Sequence, residues 1–244
     1  MRLGIVSDTH ANLPALEVAL AALDDVDAVV CLGDIVGYGP DPVECVRAVR
    51  ASCSMAIAGN HDLAVRDLSI AEYFNDIGRA AVHWQKGLVD RDPDIGLYLD
   101  TLPASQVIAG VRLVHGSPSD PMEYILDFAD AAWGFRSMAE RIALFGHTHL
   151  PIAYELTGGA TEPVVRWVRP NIPLALDPAK RYLLNPGSVG QPRDGDPRAA
   201  FGVLDTEEMT FTSRRKPYDV RVTVRRILGC GLPPALADRL EVGR

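Results

Sequence analysis

Short apolar segments that end in small clusters of Asp, His, Asn and Gly recur along this chain, and they constrain its fold strongly. Apolar runs of this length between turn residues are typical of buried strands. Six of them end in a polar cluster, and they are Leu3–Ser7, Ala28–Leu32, Met55–Ala58, Val111–Val114, Ile142–Phe145 and Tyr182–Leu184. Ala200–Leu204 is a further predicted strand.

Helical patterns separate several of these strands in the first half of the chain. The predicted helices are Asn12–Leu23 with Asn12 as its cap, Pro42–Ala51 with Asp41 as its cap, Ile70–Trp84 and Phe128–Arg141. Alternation of strands and helices predicts an α/β architecture. We expect a mixed sheet, or two packed sheets with helices outside, within one domain that spans residues 1–244.

The second half is predicted to be mostly β. Glu155–Thr157 and Val164–Val168 look like a hairpin or a longer β excursion, and Ala200–Asp205 pairs naturally with Thr210–Arg214. The tail is ambiguous: Val220, Val222 and Val224 alternate as in a strand, whereas Leu236–Leu240 resembles a helix. The excursion around residues 154–170 is interpreted as a subunit interface or a substrate lid.

The polar clusters point to one site, because open α/β sheets bind ligands beyond the carboxyl ends of their strands. The chain has six histidines, and five of them lie in these clusters, at positions 10, 61, 115, 147 and 149. The sixth, His83, is interpreted as an ordinary helix residue beside Trp84. Asp8 and His10 would face the same side of an extended segment, as would His147 and His149 if their loop is extended.

This set of side chains favours metal chemistry. Carboxylates and imidazoles together suit Mn²⁺, Fe, Zn²⁺, Co²⁺ or Ni²⁺, whereas Mg²⁺ and Ca²⁺ sites consist almost entirely of oxygen ligands. The candidate ligands are too many for one ion and suit two ions that share a carboxylate, the usual arrangement for phosphoryl displacement. They are Asp8, His10, Asp34, Asn60, His115, His147 and His149.

Charge and composition narrow the range of partners. The net charge of −8 opposes binding to phosphate backbones, so broad nucleic-acid binding is not expected. No apolar run approaches the roughly 20 residues that span a bilayer, and the first residues do not resemble a secretion signal, so we predict a cytoplasmic protein. The four cysteines form no CxxC pair, which argues against a zinc ribbon or redox dithiol, and Cys31 is a predicted core residue.

Five blocks in order resemble the signature of the calcineurin-like metallophosphoesterase superfamily. They are Asp8-x-His10, Gly33-Asp34, Gly59-Asn60-His61-Asp62, His115-Gly116 and Gly146-His147-x-His149, and Asn185-Pro186-Gly187-Ser188 extends the match. The compact Gly-His-Thr-His and Asn-Pro-Gly-Ser forms are similar to those of small bacterial and archaeal phosphodiesterases. The resemblance implies two facing mixed β-sheets flanked by helices.

The resemblance also implies roles for these residues. Asp8, His10, Asp34 and His149 would hold a first divalent ion, with Mn²⁺ as the favoured metal. Asp34, Asn60, His115 and His147 would hold a second, with Asp34 shared. A hydroxide that bridges both ions would attack phosphorus in line. His61 would protonate the leaving oxygen or stabilise its charge, and Asp62 would either hydrogen-bond His61 or cap the next segment.

One departure from the pattern concerns the stretch after Asp34. The Ser/Thr protein phosphatases of this superfamily have an Asp that orients the catalytic histidine and an Arg that grips phosphate, whereas Gly37 and Tyr38 stand here. Tyr38 is a candidate for stacking on a nucleobase or for packing. Arg193 is a candidate for binding a substrate phosphate, with a solvated loop charge as the alternative.

These observations leave three hypotheses. The first is hydrolysis of a small, nucleotide-like phosphodiester. The second is a phosphomonoesterase or dinucleoside polyphosphate hydrolase with the same metal site, since the metal core sets the reaction and the loops set the substrate. The third is a non-catalytic protein-binding scaffold of the same fold, which the presence of His61 and every ligand disfavours. The oligomeric state is left open, with a homo-oligomer as one alternative.

Overall fold

Two six-stranded sheets form the centre of the protein in the computed structural model, which describes residues 1–244. The first sheet has the strand order β3-β2-β1-β11-β12-β9. Its strands are β1 (Arg2–Val6), β2 (Ala28–Cys31), β3 (Met55–Ala56), β9 (Leu174–Ala175), β11 (Ala199–Asp205) and β12 (Thr210–Lys216). The strands β1, β2 and β3 are parallel, whereas β11 pairs antiparallel with both β1 and β12, so the sheet is mixed.

The second sheet has the order β4-β5-β6-β10-β7-β8 and is also mixed. Its strands are β4 (Ser105–Ile108), β5 (Val111–Val114), β6 (Ile142–Leu144), β7 (Ile152–Leu156), β8 (Val164–Trp167) and β10 (Arg181–Asn185). The strands β5, β6 and β10 run parallel, and β4, β7 and β8 are antiparallel to their neighbours. The parallel strands of both sheets are the ones that end in polar clusters.

Nine helices surround the sheets. They are α1 (Leu13–Ala21), α2 (Pro42–Ser52), α3 (Asn60–Arg66), α4 (Leu68–Ala71), α5 (Asp76–Val89), α6 (Pro93–Thr101), α7 (Phe128–Arg136), α8 (Val220–Gly229) and α9 (Pro234–Val242). None of these helices combines the length and the hydropathy that a membrane span requires.

Side-chain alternation along the strands builds the layers. On β1, Leu3 and Ile5 pack between the two sheets, whereas Val6 faces the core beneath the helices of the first sheet. On β10, Tyr182 and Leu184 pack between the sheets, and Leu183 faces the core beneath α7. Because successive strand side chains point to opposite faces, each parallel strand is buried on both faces. The predicted α/β fold, with two facing mixed sheets flanked by helices, is confirmed.

Several element boundaries differ from the sequence predictions. The predicted helix at Ile70–Trp84 is two helices, α4 and α5, because Asn75 accepts a hydrogen bond from the Gly78 N–H and starts a new helix. The helix predicted over Phe128–Arg141 ends at Arg136. The carboxylate of Asp41 pairs with Arg226 and makes no capping hydrogen bond to α2.

The alternating valines of the tail form a helix and not a strand. Asp219 accepts a hydrogen bond from the Arg221 N–H and caps α8. Thr223 and Ile227, four residues apart, are buried on the helix face that packs against the protein. The predicted helix at Leu236–Leu240 lies within α9. The β excursion is the antiparallel hairpin of β7 and β8, at the edge of the second sheet.

Candidate dinuclear metal centre

The loops after β1 and β2 hold the first candidate ligands in a tight backbone arrangement. Asp8, His10 and Asp34 have φ values of 52°, 46° and 51°, in the left-handed region. The Asp8 N–H donates to the Gly33 carbonyl and the His10 N–H to that of Asp34, which ties the two loops together. The expectation that Asp8 and His10 share a face of an extended segment is therefore wrong, although both side chains reach the same site.

The same correction applies to the loop after β6. His147 and His149 have φ values of 65° and 61°, so this loop is not extended either. The His147 N–H lies 3.1 Å from Asp8 Oδ1 and donates to that carboxylate across the two sheets. Strained left-handed backbone at several consecutive blocks is typical of a functional site, where the surrounding hydrogen bonds hold it in place.

The first cluster of candidate ligands consists of Asp8, His10, Asp34 and His149. His10 Nε2 lies 3.0 Å from His149 Nε2, and His149 Nε2 lies 3.3 Å from Asp8 Oδ1. His10 Nε2 is 3.6 Å from Asp34 Oδ2. All four side chains are buried.

The second cluster consists of Asp34, His115 and His147. His115 Nε2 lies 3.3 Å from Asp34 Oδ2 and 3.2 Å from His147 Nδ1. Asn60 joins this group, because its Oδ1 is 3.1 Å from His115 Nε2. Asp34 belongs to both clusters, and all seven predicted ligands converge at one place between the two sheets.

Backbone carbonyls orient three of the four histidine rings. Nδ1 of His10 lies 3.1 Å from the Val36 carbonyl oxygen, that of His115 lies 2.8 Å from the Leu32 oxygen, and that of His149 lies 2.6 Å from the Gln191 oxygen. A carbonyl can only accept, so each Nδ1 carries the proton and each Nε2 directs a lone pair into the cluster. This is the arrangement by which proteins orient histidine ligands to metals.

The protonation states also suit metal binding. Burial lowers the pKa of His10 well below its usual range and the pKa of His147 to about 3, which keeps both rings neutral at pH 7. Burial alone would raise the pKa of Asp34, but the adjacent His115 and His61 lower it well below its usual range. His147 Nε2 is buried without a partner. Burial lowers the pKa of His115 as well, but the charge of Asp34 outweighs it and raises that pKa to about 9, so this ring would have to release a proton when a metal ion binds. The neutral His10 and His147 rings and the ionised Asp34 carboxylate fit divalent transition-metal ions.

The block at residues 185–188, Asn-Pro-Gly-Ser, forms hydrogen bonds with the loops that carry the candidate ligands. The Asn185 side-chain amide donates to the Gly146 carbonyl at 2.7 Å and to Thr148 Oγ1 at 3.1 Å. Ser188 Oγ donates to the Asp8 carbonyl at 2.8 Å. These buried hydrogen bonds hold the loops that carry Asp8, His147 and His149, so the block acts through the backbone of the candidate ligands.

His61 lies beside the clusters without belonging to them. Its ring centroid is 4.9 Å from that of His10 and 4.5 Å from that of Tyr38, and Nδ1 is buried without a hydrogen-bond partner. Burial lowers the pKa of His61 to about 4, and the Asp34 charge opposes that shift. The ring packs against Gly37, where any side chain would collide with it.

Asp62 caps a helix and braces a loop, and it makes no hydrogen bond to His61. It accepts hydrogen bonds from the backbone N–H groups of Gly59, Ile35 and Val36. These contacts start α3, on which His61 lies, and fix the segment that follows Asp34. Of the two interpretations left open by the sequence, the structure shows capping.

Tyr38 and Arg193 both lie at the edge of the centre. Tyr38 is 9% exposed, and its ring packs between His10 and His61, so packing accounts for most of its surface. Arg193 donates from Nη2 to Gln191 Oε1 at 3.1 Å and has no carboxylate partner. Its charge contributes to the lowered pKa values of His61 and His149, which places it near the two clusters.

Three contributors to the site lie outside the residues predicted from the sequence. Gln85 on α5 accepts a hydrogen bond from the Gly37 N–H and donates one to the Gly39 carbonyl, which braces the loop that carries Tyr38. The Tyr124 ring stacks on His147 with centroids 3.7 Å apart, and the Phe74 ring lies 4.6 Å from that of His61. None of the three belongs to a strand-end block, so the pattern that located the ligands carried no signal for them.

A cavity of about 500 Å³ opens beside His61, Asn60 and His147. A larger depression of about 940 Å³ lies along α1 and β12 and contains none of the candidate ligands. Two of its basic side chains, Arg2 and Arg214, are paired with Asp25. The smaller cavity is therefore the one placed to admit a substrate.

Comparison with known proteins gives a consistent picture. Residues 1–209 match the family model of the calcineurin-like phosphoesterase superfamily domain. An uncharacterized protein of Methanocaldococcus jannaschii is 32% identical over 251 residues, which cover 99% of this chain and 98% of that protein. Phosphodiesterase YfcE of Escherichia coli is 26% identical over 218 residues, which cover 86% of this chain and 90% of that protein.

The comparison of structures agrees. A metallophosphoesterase from Sphaerobacter thermophilus superimposes with a TM-score of 0.88 at 35% identity, over 100% of this chain and 99% of that chain. The range matched by the family model includes every candidate metal ligand, from Asp8 to His149. The chain therefore belongs to the calcineurin-like phosphoesterase superfamily, a family of metal-dependent hydrolases.

Proposed function

We propose that the protein hydrolyses a small, nucleotide-like phosphodiester with the help of two divalent metal ions. The observation that carries this proposal is the pair of buried clusters that share Asp34, with His61 adjacent and uncommitted. The similarity to a relative named as a phosphodiesterase supports a diester over a monoester. No feature of the site favours a phosphomonoesterase or a dinucleoside polyphosphate hydrolase over this proposal.

The clusters define which residues would hold each ion. Asp8, His10, Asp34 and His149 would hold the first. Asp34, Asn60, His115 and His147 would hold the second, with Asp34 common to both. Two such ions, when bound, supply Lewis-acid neutralisation of the phosphoryl oxygens and lower the pKa of water. We propose Mn²⁺ as the metal, since mixed carboxylate and imidazole ligands suit it. Fe, Zn²⁺, Co²⁺ and Ni²⁺ are alternatives, because they accept the same ligands.

His61 serves the leaving group in this proposal. Its ring is buried and held by packing against Gly37, Tyr38 and Phe74, so it needs no reorganisation to meet a substrate. The negative charge of a bound phosphate raises the pKa of a neighbouring histidine and favours the protonated ring. The protonated ring then donates its proton to the leaving oxygen.

Arg193 is proposed to bind a non-bridging phosphate oxygen. Its guanidinium has no carboxylate partner, and a planar guanidinium suits two oxygens of a phosphate group. Tyr38 is proposed to hold His61 in place, because its ring is largely covered by the two histidines beside it. Its exposed edge lines the cavity and contributes to the substrate wall.

The proposal is tested by hydrolysis of bis-p-nitrophenyl phosphate and p-nitrophenyl phosphate, with Mn²⁺ and with chelator. We expect metal-dependent turnover that is higher on the diester. His61→Ala should lower kcat by about 10²–10⁴-fold, the usual range for loss of a general acid. His83→Ala is the matched control, since that histidine is exposed on α5 and should leave kcat unchanged.

Two outcomes would contradict the proposal. If the protein binds metal but hydrolyses neither ester, the proposed phosphoesterase activity on these esters is contradicted. Equal turnover by wild type and His61→Ala, with metal still bound, would remove His61 from the mechanism while leaving the metal centre in place.

A further inference from the structure

The cavity beside the metal centre has walls that the metal chemistry does not require. Ile70, Tyr73 and Phe74 come from α4 and the turn before α5, and Met122 and Tyr124 come from the segment between β5 and α7. Tyr73 is 91% exposed and Tyr124 is 43% exposed. Exposed aromatic side chains gathered at the mouth of a polar site contribute little to the core, so they call for a functional explanation.

These rings continue the aromatic surface of two site histidines. Tyr124 stacks on His147 at 3.7 Å with an interplanar angle of 17°, and Phe74 packs on His61 at 4.6 Å. A volume of about 500 Å³ lies within the usual range of ligand pockets. Flat ring faces of this kind bind planar groups by stacking, and they bind them with little loss of side-chain freedom.

The charge of the walls restricts what the cavity can hold. No Lys, Arg, Asp or Glu lines it, so an ammonium group would find no counter-charge there. The positive charges of Arg193 and Arg239 act on the edge formed by Tyr38 and Tyr124. Asn75 is a polar residue of this wall. Its Oδ1 accepts from the Gly78 N–H, and its NH₂ group makes no hydrogen bond within the protein. That NH₂ group can donate to a ring nitrogen or carbonyl of a ligand.

His61 lines the same cavity, which fixes the part of the substrate that enters it. If His61 serves the leaving oxygen, the group attached to that oxygen extends past its ring and into the cavity. We propose that the cavity binds the leaving group of the substrate and selects an uncharged planar heterocycle, such as the base of a nucleoside. This inference rests on the proposed function of His61 and extends it to the substrate class.

Two cyclic diesters allow the contribution of the heterocycle to be measured separately from that of the reacting phosphate. Adenosine 2′,3′-cyclic phosphate and glycerol 1,2-cyclic phosphate share the five-membered phosphate ring and differ in the nucleoside. Stacking of one base on one side chain changes binding by about five- to 150-fold. We therefore expect kcat/KM with Mn²⁺ to be at least about tenfold higher for the adenosine ester.

A substitution in the wall should reduce that ratio. Tyr73→Ala should lower kcat/KM for the adenosine ester by about fivefold or more and leave that for the glycerol ester nearly unchanged, because the exposed Tyr73 makes no ring contact with His61. Tyr73→Phe, which keeps the ring face, should restore the wild-type ratio. Trp167→Ala is the control, because Trp167 is an exposed aromatic residue, 80% accessible, on β8 and outside the cavity.

The outcomes distinguish this inference from the proposed function. Equal kcat/KM for both esters, or an equal loss for both in Tyr73→Ala, would overturn the inference and leave the hydrolytic function standing. Hydrolysis of neither ester, nor of bis-p-nitrophenyl phosphate, would contradict the proposed function itself. The affinities of adenosine 5′-monophosphate and ribose 5-phosphate, measured by calorimetry, would then test whether the cavity binds the base. Tighter binding of the adenosine compound would support the inference, and equal affinities would overturn it.

Discussion

Gly37→Ala is a substitution that reaches His61 without touching a candidate metal ligand. Gly37 has φ of +95°, and a Cβ at this position would lie 2.6 Å from His61 Cγ and closer still to Nδ1. Carbon atoms prefer separations of about 3.5–4.0 Å, so the ring must move by about 1 Å. A displacement of about 1 Å of a catalytic group costs about 10²-fold in rate. The left-handed backbone costs a further ~1–2 kcal/mol of stability.

Gly110→Ala separates the two effects. Gly110 has φ of +76° in the turn between β4 and β5, and no other atom lies within 4 Å of the point that an alanine Cβ would occupy there. Both variants should therefore lose ~1–2 kcal/mol of unfolding free energy in urea through the backbone. The displaced ring should cost Gly37→Ala about 1–3 kcal/mol more. Only Gly37→Ala should lose about 10²-fold in kcat on bis-p-nitrophenyl phosphate at saturating Mn²⁺. A Gly37→Ala enzyme that folds, binds metal and keeps at least half of the wild-type kcat would refute the reasoning.

Three further predictions concern stability. Gln85→Leu leaves the Gly37 N–H and the Gly39 carbonyl unpaired, so it should cost about 2–4 kcal/mol in urea unfolding; a cost below about 0.5 kcal/mol would contradict the loop-bracing role. Hydrogen bonds from Arg214 lower the pKa of Asp25 from 3.8 to about 2 in the folded protein. Asp25 therefore stabilises the fold fully above the unfolded-state pKa of 3.8, and this stabilisation is lost as pH falls through the folded-state pKa of about 2. Because both partners are partly exposed, Asp25→Asn should cost less than about 1 kcal/mol at pH 7. The cost should shrink as pH falls below about 5 and vanish at about pH 1, and a larger loss in acid would reverse the assignment. Chelation should lower the unfolding free energy by about 2.7 kcal/mol for each ion present at 100 times its Kd, and Mn²⁺ should restore it; identical urea midpoints with metal and with chelator would count against metal bound in the native state.

The sequence predicted the strands and the convergence of the candidate ligands because both depend on local patterns. Buried parallel strands are continuous apolar runs, and their carboxyl ends meet at one edge of the sheet. That geometry brings Asp8, Asp34 and His115 together whatever the details of the loops. The apolar run that contains Cys31 also placed this residue in the core, where the structure has it.

The failures arise where tertiary contacts override the local pattern. Val220, Val222 and Val224 alternate as in a strand, yet the segment is helical. Asp219 caps it, and Val220 and Val224 pack with Ile227 on one helix face against the body of the protein. The loops of Asp8 and His147 depart from extended geometry because hydrogen bonds from other strands hold them in the left-handed region. Such long-range partners leave no periodic signal in the chain.

The aromatic wall of the cavity beside His61 could not be predicted for the same reason. Tyr73 and Phe74 precede α5, and Tyr124 lies about fifty residues later, so only the folded chain brings these rings to one cavity. The β7–β8 hairpin, by contrast, was predicted, but none of its residues lines that cavity. The structure thus gives no support to the hairpin as a substrate lid, and its role at a subunit interface stays a prediction.

The central claim is that two ions share Asp34, and counting metal per chain tests it most directly. Protein reconstituted with Mn²⁺, desalted and analysed by plasma mass spectrometry should hold two ions per chain, and His83→Ala should match it. Asp8→Ala should retain one ion, whereas Asp34→Ala, checked for native circular dichroism, should retain none. A single ion in the wild type, or two ions in a folded Asp34→Ala variant, would contradict the account.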